Sequence, residues 1–331
     1  MDPALAVAAR RVIEGSLSIV PGERLVLVMD ESTREIGTAL VEVATLAGAE
    51  TRVFVLEQLG PRPHTQLHGD VAEALTKAQA SILLTRFEDG ELGARSQLVD
   101  RAAQLRLRHA HLIGVSARSL IAGMAVDPRR IADVARALRF RLRPTSSIKV
   151  KSTSGTDLLV RCEARHRWVE YSGVISPGTK ANLPAGELVT CPGDVTGVYV
   201  ADGSIGDADG TLAGLLTRSP LRLEFSGGIL RKIEGRDLAT IKRIETMVRR
   251  VPQLERVGLV SFGTNVGMSD IVGDIFTDQK LPSFHLSLGI TFPEKTGARW
   301  TAPSWIAFTQ VGSEIDLDGV PAMRGGRYLF S

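Results

Sequence analysis

The chain has 331 residues, of which 44% are hydrophobic and 23% are charged. This length favours two domains, and the composition is typical of a folded globular protein and excludes a collagen-like or disordered chain. Forty lysines and arginines against 37 aspartates and glutamates leave a formal charge of only +3. Because this excess is too small to form a phosphate-binding stripe, we predict no nucleic-acid partner.

Cysteine usage and the first residues bear on the compartment. The two cysteines, Cys162 and Cys191, are too few for a disulfide framework and are typical of a reducing cytoplasm. Residues 1–20 contain charged side chains and lack the apolar core of a signal peptide. No run approaches the 18 apolar residues of a membrane span. We therefore predict a cytoplasmic protein with no membrane partner.

The first 143 residues alternate between helical and strand patterns. The predicted helices cover residues 4–15, 33–47, 71–78 and 94–106, and the predicted strands cover residues 25–30, 51–56, 80–85 and 111–115. Apolar strands separated by helices are typical of a parallel sheet with helices on both faces. We therefore predict an α/β fold that begins with a Rossmann-like domain over residues 1–145.

This first domain carries no clear motif for a nucleotide or a metal. The sequence MDESTRE after the first strand has no G-x-G-x-x-G and no Walker loop, so nothing there favours phosphate binding. His64 and His68 have helical spacing, and His109 and His111 share a strand face. Neither pair belongs to a fuller ligand motif, so we interpret them as surface or hydrogen-bonded histidines.

From residue 146 the pattern changes to short alternating strands. Two hairpins are predicted, at 147–162 and 221–233, and one helix at 236–250. Further strands are predicted at residues 257–260, 284–288, 305–310 and 314–317. Pro144, followed by small polar residues, marks the boundary. We therefore predict a second, β-rich α+β domain over residues 146–331.

The segment NLPAGELVTCP, residues 182–192, carries the first candidate site. Pro184 fixes a turn, Gly186 stands where a side chain would obstruct, and Glu187 then presents its carboxylate at the start of a strand. A carboxylate held so rigidly suits a bridging metal or an amine. Three further segments follow, VGLVSFGTN at 257–265, SFHLSLG at 283–289 and PSWIAFTQVGSEIDLDG at 303–319.

The order and spacing of these four segments resemble the aminopeptidase T family of metallopeptidases. The resemblance implies an α/β domain followed by a β-rich, aminopeptidase T-like catalytic domain that carries two divalent metals. It also implies that Glu187 and His285 stand at ligand positions. The other three ligand positions hold Ser261, Ala307 and Thr309 instead.

This departure from the family pattern argues against a metal site. A dinuclear site must neutralise about four positive charges, and even a catalytic zinc usually has three protein ligands. We therefore predict no metal, no cofactor and no catalytic residue, and we expect no aminopeptidase activity. A non-haem iron branch of the same superfamily opens hydroxypyridine rings, but the missing His-x-Asp pair argues equally against its facial triad.

A cleft without metals could still bind a peptide through backbone pairing. The chain resembles the peptide-binding proteins of crocagin-type ribosomal peptide biosynthesis, which implies an inactive accessory protein that captures a precursor peptide for a modifying enzyme. The resemblance also implies a homodimer, or a heterodimer with a paralogue. The predicted peptide groove consists of Asn182, Glu187, Ser261, Asn265, His285 and Trp305.

Two alternatives stay open. One is a metal-dependent aminopeptidase, or a related hydrolase or oxygenase, that rebuilds its metal site from Glu187, His285 and an unidentified residue. The other is a structural paralogue that pairs with an active subunit. Trp305 itself is explained equally well by a ligand-binding wall and by core packing.

Overall fold

A computed structural model describes residues 2–330 of the chain. They form two compact units. The first contains the chain up to Arg130 together with Gly173–Ala185, and the second contains Ile131–Ser172 and the residues from Gly186 onward. The segment Gly173–Ala185 thus belongs to the first unit, although in sequence it interrupts the second.

The first unit is built on a five-stranded, fully parallel sheet. With labels in chain order for the whole chain, its strand order is β2-β1-β3-β4-β8. These strands are β1 (Arg24–Met29), β2 (Glu50–Val55), β3 (Ala80–Thr85), β4 (Arg108–Ile113) and β8 (Lys180–Asn182). The helices are α1 (Pro3–Arg10), which continues as a π-helical segment (Arg11–Ser16), α2 (Arg34–Leu46), α3 (Leu56–Leu59), α4 (Gly69–Leu75), α5 (Leu92–Gln104) and α6 (Ala117–Gly123).

Both faces of this sheet are buried, as predicted. Along β1, Leu25 and Leu27 belong to one apolar cluster and Val26 and Val28 to another. Because side chains alternate between the faces of a strand, the two clusters cover opposite sides of the sheet. The predicted α/β fold with a parallel sheet is therefore confirmed. Within residues 2–330, no helix is long and apolar enough to cross a membrane.

Strand β4 begins three residues before its predicted start and therefore includes His109. This side chain is buried, and its Nδ1 lies 2.9 Å from the hydroxyl of Ser81 on β3. Its Nε2 lies 3.3 Å from Nδ1 of His111. Burial lowers the pKa of His109 to about 3 and that of His111 to about 4. Both histidines are thus hydrogen-bonded groups, as expected.

The second unit consists of two antiparallel sheets. One has the order β14-β13-β10-β6-β5-β18-β19-β20, and the other has the order β12-β11-β17-β16-β15-β9-β7. The first sheet contains β5 (Ser147–Lys151), β6 (Asp157–Arg161), β10 (Asp194–Ala201), β13 (Leu221–Ser226), β14 (Ile229–Glu234), β18 (Glu314–Leu317), β19 (Val320–Arg324) and β20 (Arg327–Tyr328). The second sheet contains β7 (Val169–Tyr171), β9 (Glu187–Thr190), β11 (Ser204–Asp207), β12 (Ala213–Leu215), β15 (Val257–Gly263), β16 (Phe284–Leu288) and β17 (Ile306–Phe308).

Four helices accompany these sheets, namely α7 (Pro128–Leu142), α8 (Leu238–Arg250), α9 (Ile275–Asp278) and α10 (Pro293–Thr296). The core of the unit lies between the sheets and contains Phe225 from the first sheet and Phe262 from the second. The buried phenol of Tyr199, on β10, donates to the carbonyl oxygens of Phe284 and Phe308, at 3.1 and 3.3 Å. These bonds connect the two sheets, and the predicted β-rich region is confirmed.

Candidate functional site

The turn before Glu187 is built as its sequence predicts. Gly186 has a φ of +128°, and a Cβ there would lie 2.7 Å from the Cβ of Asn265. Only glycine fits this backbone and this close approach. The Gly186 amide donates to the carbonyl of Tyr171, and its own carbonyl accepts from the amide of Thr264. The first residue of β9, Glu187, is therefore held from both sides.

The carboxylate of Glu187 is paired with an ammonium group. Its Oε2 accepts a hydrogen bond from Nζ of Lys280. The two side chains are only 11% and 12% exposed, so the pair is largely removed from solvent. An ion pair in such surroundings persists because each charge would otherwise be buried alone. Glu187 already has a cation beside it, and that cation belongs to the chain.

The backbone of Lys280 and Leu281 is fixed by two neighbours. The amide of Asn265 donates to the carbonyl of Lys280 at 3.0 Å. Nε2 of His285 donates to the carbonyl of Leu281 at 2.9 Å. Gly263 adds close backbone packing, because any side chain there would collide with the Leu281 carbonyl. Asn265 and His285 thus help to position Lys280.

The imidazole of His285 is neutral, with its proton on Nε2. Nε2 donates to a carbonyl, while Nδ1 accepts from the amide of Gln310 at 3.3 Å, so both ring nitrogens are engaged. Complete burial lowers its pKa to about 4, while the Leu281 carbonyl and the charge of Glu187 raise it and the charge of Lys280 lowers it. His285 therefore stays neutral near pH 7.

The two positions expected to hold a His-x-Asp pair carry no ligand. Ala307 lies on β17, opposite Gly206 on β11 and Ser287 on β16. The hydroxyl of Thr309 is buried and accepts from the amide of Ser204 at 2.6 Å. These residues serve as sheet packing and as a hydrogen-bonded connection between strands.

The remaining predicted site residues fall into different places. Ser261 is buried on β15, directly opposite His285 on β16. Trp305 precedes β17, and its ring meets that of Phe276 edge to face at 5.7 Å. Asn182 belongs to the first unit, where it is exposed at the end of β8. Within the second unit, the strand pairing and the turns bring Glu187, Ser261, Asn265 and His285 together.

This group of residues does not fit an oxygenase metal. The Glu187 carboxylate is paired with Lys280, and neither nitrogen of His285 is available. The buried Nε2 of Gln310 lacks a partner, but an amide N–H donates hydrogen bonds and does not bind cations. Within residues 2–330, no three His, Cys, Asp or Glu side chains are grouped so that they could hold a metal ion.

Lys280 is the site residue that sequence reasoning missed. It lies 93 positions from Glu187, so no local spacing connects the two. The available signal was its place five residues before His285, just outside the segment 283–289 that was singled out for its ligand position. A basic residue there is compatible with a site whose metal ligands have been replaced, since an ammonium can balance the remaining carboxylate.

A family model for 2,5-dihydroxypyridine 5,6-dioxygenase matches residues 9–247, more than two thirds of the chain. The chain belongs to this dioxygenase family. The matched residues include Glu187 but end before Ser261, Lys280 and His285. No curated protein matches the chain.

Two solved structures share the fold of this dioxygenase-family chain. The 2,5-dihydroxypyridine dioxygenase from Pseudomonas putida KT2440 aligns with a TM-score of 0.62 and 17% identity, covering 99% of this chain and 97% of that protein. AmpT from Thermus thermophilus aligns with a TM-score of 0.65 and 16% identity, covering 99% of both. At these identities the likeness establishes the fold, and the expected aminopeptidase T-like architecture is confirmed.

The match to the dioxygenase family contradicts the function predicted from the sequence. The prediction of a catalytically inactive peptide-binding protein from ribosomal peptide biosynthesis is wrong, because the family match points to a dioxygenase. The replacement of expected metal ligands does not outweigh this family relationship. The match favours the oxygenase of the stated alternative, although the rebuilt metal site of that alternative is not found among residues 2–330. The expected dimer stays a prediction.

Proposed function

We propose that this chain is an oxygenase acting on a hydroxylated N-heteroaromatic ring, and that Glu187 and Lys280 bind the hydroxyl group of that ring. The observation that carries the proposal is the dioxygenase family match over residues 9–247. A second support is that Glu187, which lies within the match, is paired with a cation in a polar site of the second unit.

A ring hydroxyl is complementary to this pair. A hydroxyl both donates and accepts hydrogen bonds, a carboxylate only accepts, and an ammonium only donates. The hydroxyl would donate to Glu187 while its oxygen accepts from Lys280. Sharing the proton with Glu187 leaves the ring more electron-rich, as reaction with dioxygen requires, and Lys280 stabilises the negative charge that develops on the oxygen.

His285 acts in this proposal as a positioning residue. Its Nε2 holds the carbonyl of Leu281, next to Lys280, and its neutral state avoids a second positive charge beside the ammonium. Small displacements of a catalytic group reduce rates strongly. The substitution His285→Gln should therefore raise KM, and it should lower kcat by less than Lys280→Met does. The rate of this variant should also lack the pH dependence that titration of a histidine confers.

Oxygen consumption with 2,5-dihydroxypyridine tests the proposal. The purified protein is assayed as isolated and after incubation with ferrous iron, while the loss of substrate is followed by absorbance. We expect oxygen uptake that depends on the substrate and falls at least about tenfold in Lys280→Met, the loss of a hydrogen bond to a charged group. Lys77→Met is the matched control, because it removes a lysine from an exposed pair with Glu73.

The outcomes separate binding from chemistry. Absence of oxygen uptake under both conditions would show that the chain is no oxygenase for this substrate. If titration calorimetry nevertheless showed saturable binding that Lys280→Met abolishes, while circular dichroism showed that the variant is still folded, the role of the Glu187–Lys280 pair would stand. Equal uptake by wild type and Lys280→Met would remove that role and leave only the family assignment.

A further inference from the structure

The second unit contains a polar cavity of about 150 Å³ that is separate from the Glu187–Lys280 pair. It lies at Pro192–Asp194, after the far end of β9, and at Val257, where β15 begins. Glu187 is at the opposite end of β9, opposite Gly263 at the end of β15. We call this space the arginine cavity, after its lining residues Arg165, Arg256 and Arg299.

The charge balance of the arginine cavity is positive. Its lining carboxylates are those of Glu163 and Asp194. Glu163 pairs with Arg165 at 3.5 Å, and Asp194 accepts a hydrogen bond from the hydroxyl of Thr196 at 3.2 Å. Among residues 2–330, the guanidinium groups of Arg256 and Arg299 have no carboxylate within ion-pair distance.

Arg256 is held in place without losing its hydrogen-bond donors. Its guanidinium carbon lies 4.0 Å from the ring centroid of Trp300, so the flat group is positioned against the indole. A cation–π contact of this kind holds the cation at the indole face and does not use the guanidinium N–H groups as hydrogen-bond donors to an acceptor atom. The edge of Arg256 is therefore available to a ligand in the cavity.

A third group supplies a further polar contact. Nδ1 of His166 donates to the carbonyl of Cys191 at 2.8 Å, which fixes the imidazole in the cavity wall. Its other nitrogen is left for a ligand. The backbone amides of Gly193 and Gly228, also in the wall, already donate to the carbonyls of Arg161 and Val195. Recognition in this cavity thus rests on side chains.

We propose that the arginine cavity binds a small oxyanion, a carboxylate or a phosphate group, through Arg256 and Arg299. Guanidinium groups match the two oxygens of such a group with paired, charge-assisted hydrogen bonds. The cavity volume suits one small molecule or the acidic end of a larger one. This site is additional to the one proposed for the ring hydroxyl and does not depend on that function.

The experiment follows tryptophan fluorescence and binding heat while inorganic phosphate or benzoate is titrated into the full chain. We expect saturable binding of at least one probe, with a fluorescence change that Trp300→Phe removes. Arg256→Met and Arg299→Met should each weaken binding at least about tenfold. Arg249→Met is the matched control, because it removes the same charge from an exposed pair with Glu245, and it should bind like wild type.

Each result decides the proposal. Saturation by phosphate alone identifies a phosphate ligand, and saturation by benzoate alone identifies a carboxylate, and either supports the site. Lack of saturation by both probes overturns it. Binding that Arg256→Met and Arg299→Met leave unchanged, or that Arg249→Met weakens as much, also overturns it. Arg299 is exposed, so its variant tests the site even if Arg256→Met is unstable.

Discussion

The ammonium of Lys280 stands against the carboxylate of Glu187, although the two residues are 93 positions apart in the chain. The family resemblance assigned this carboxylate to a divalent metal. In this chain a side-chain cation neutralises it instead, and the nearby His285 has both nitrogens engaged in hydrogen bonds. In this chain the charge of Glu187 is balanced by a residue of the chain itself.

Removing Lys280 should destabilise the fold. Lys280→Met leaves the Glu187 carboxylate, which is 11% exposed, without its partner, and breaking a buried pair in this way costs about 3–5 kcal/mol. Urea unfolding at pH 7 measures the loss. The double variant Glu187→Gln/Lys280→Met should recover part of it, because no unpaired charge remains.

The control for this loss is the exposed Lys77–Glu73 pair, whose side chains are 62% and 66% exposed. Lys77→Met should change the free energy of unfolding by no more than about 0.5 kcal/mol. If Lys280→Met were as mild as Lys77→Met, the Glu187–Lys280 pair would not be a structural ion pair.

Acid should weaken the protein through His285. Its folded-state pKa is about 4, below the ordinary value of 6.5, so the unfolded chain takes up a proton before the folded chain does. The stabilising contribution is complete above pH 6.5 and is lost as the pH falls towards 4, at about 1.4 kcal/mol per pH unit. His285→Gln should flatten the plot of unfolding free energy against pH in this window.

The difference in pH dependence between wild type and His285→Gln reports the contribution of His285 alone, separately from the other histidines. His109 and His111 of the first unit also have lowered pKa values and contribute a slope of the same sign. Those contributions are present in both proteins and cancel in the difference. An unchanged slope in His285→Gln would mean that its proton uptake does not differ between the folded and unfolded states.

Much of the fold follows from local patterns. The apolar runs of β1 and β3 predict strands covered on both faces, and Gly227–Gly228 predicts the hairpin of β13 and β14. Strand β8 is not predicted by its sequence pattern, because it has three residues, two of them exposed, and no apolar alternation. It joins the first unit through pairing with β4, which only the tertiary structure specifies.

The candidate site likewise has features that the sequence predicts and features that it does not predict. The turn at Gly186 and the neighbouring positions of Ser261 and His285 were accessible through motif resemblance. The partner of Glu187 was not, because an ion pair between distant segments leaves no periodic signal. The sequence therefore predicts which ligand positions are replaced, but it does not predict which residue balances the charge of Glu187.

Gly186→Ala should destabilise the turn before Glu187. The new Cβ would lie 2.7 Å from that of Asn265 at a φ of +128°, and such strain costs about 1–3 kcal/mol or more. Gly214→Ala is the matched control, because Gly214 has a φ of +133° but nothing within 4 Å of the place that a Cβ would occupy. Thermal unfolding of both variants separates collision from backbone strain, and equal losses would exclude a role for the Asn265 contact.

Arg62 should be a main determinant of stability in the first unit. It binds Glu91 with two parallel hydrogen bonds, at 2.7 and 2.8 Å, and Asp30 at 2.9 Å. Asp30 is 0% and Glu91 is 2% exposed. Arg62→Met leaves both carboxylates without their guanidinium partner and should lower the free energy of unfolding by about 3–5 kcal/mol at pH 7. Arg34→Met, which breaks an exposed pair with Glu31, is the control and should have little effect.

The loss caused by Arg62→Met should itself depend on pH. Burial acts to raise the pKa values of Asp30 and Glu91, but hydrogen bonds, including those from Arg62, outweigh it and lower both. In wild type this contribution is present above the ordinary carboxyl range and is lost as the pH falls through the lowered values. Without Arg62, burial raises the pKa values and the carboxyls become neutral at a higher pH. The destabilisation measured by urea unfolding should therefore be smaller at pH 4 than at pH 7. An equal loss at both pH values would show that the unpaired charges of Asp30 and Glu91 do not cause the destabilisation.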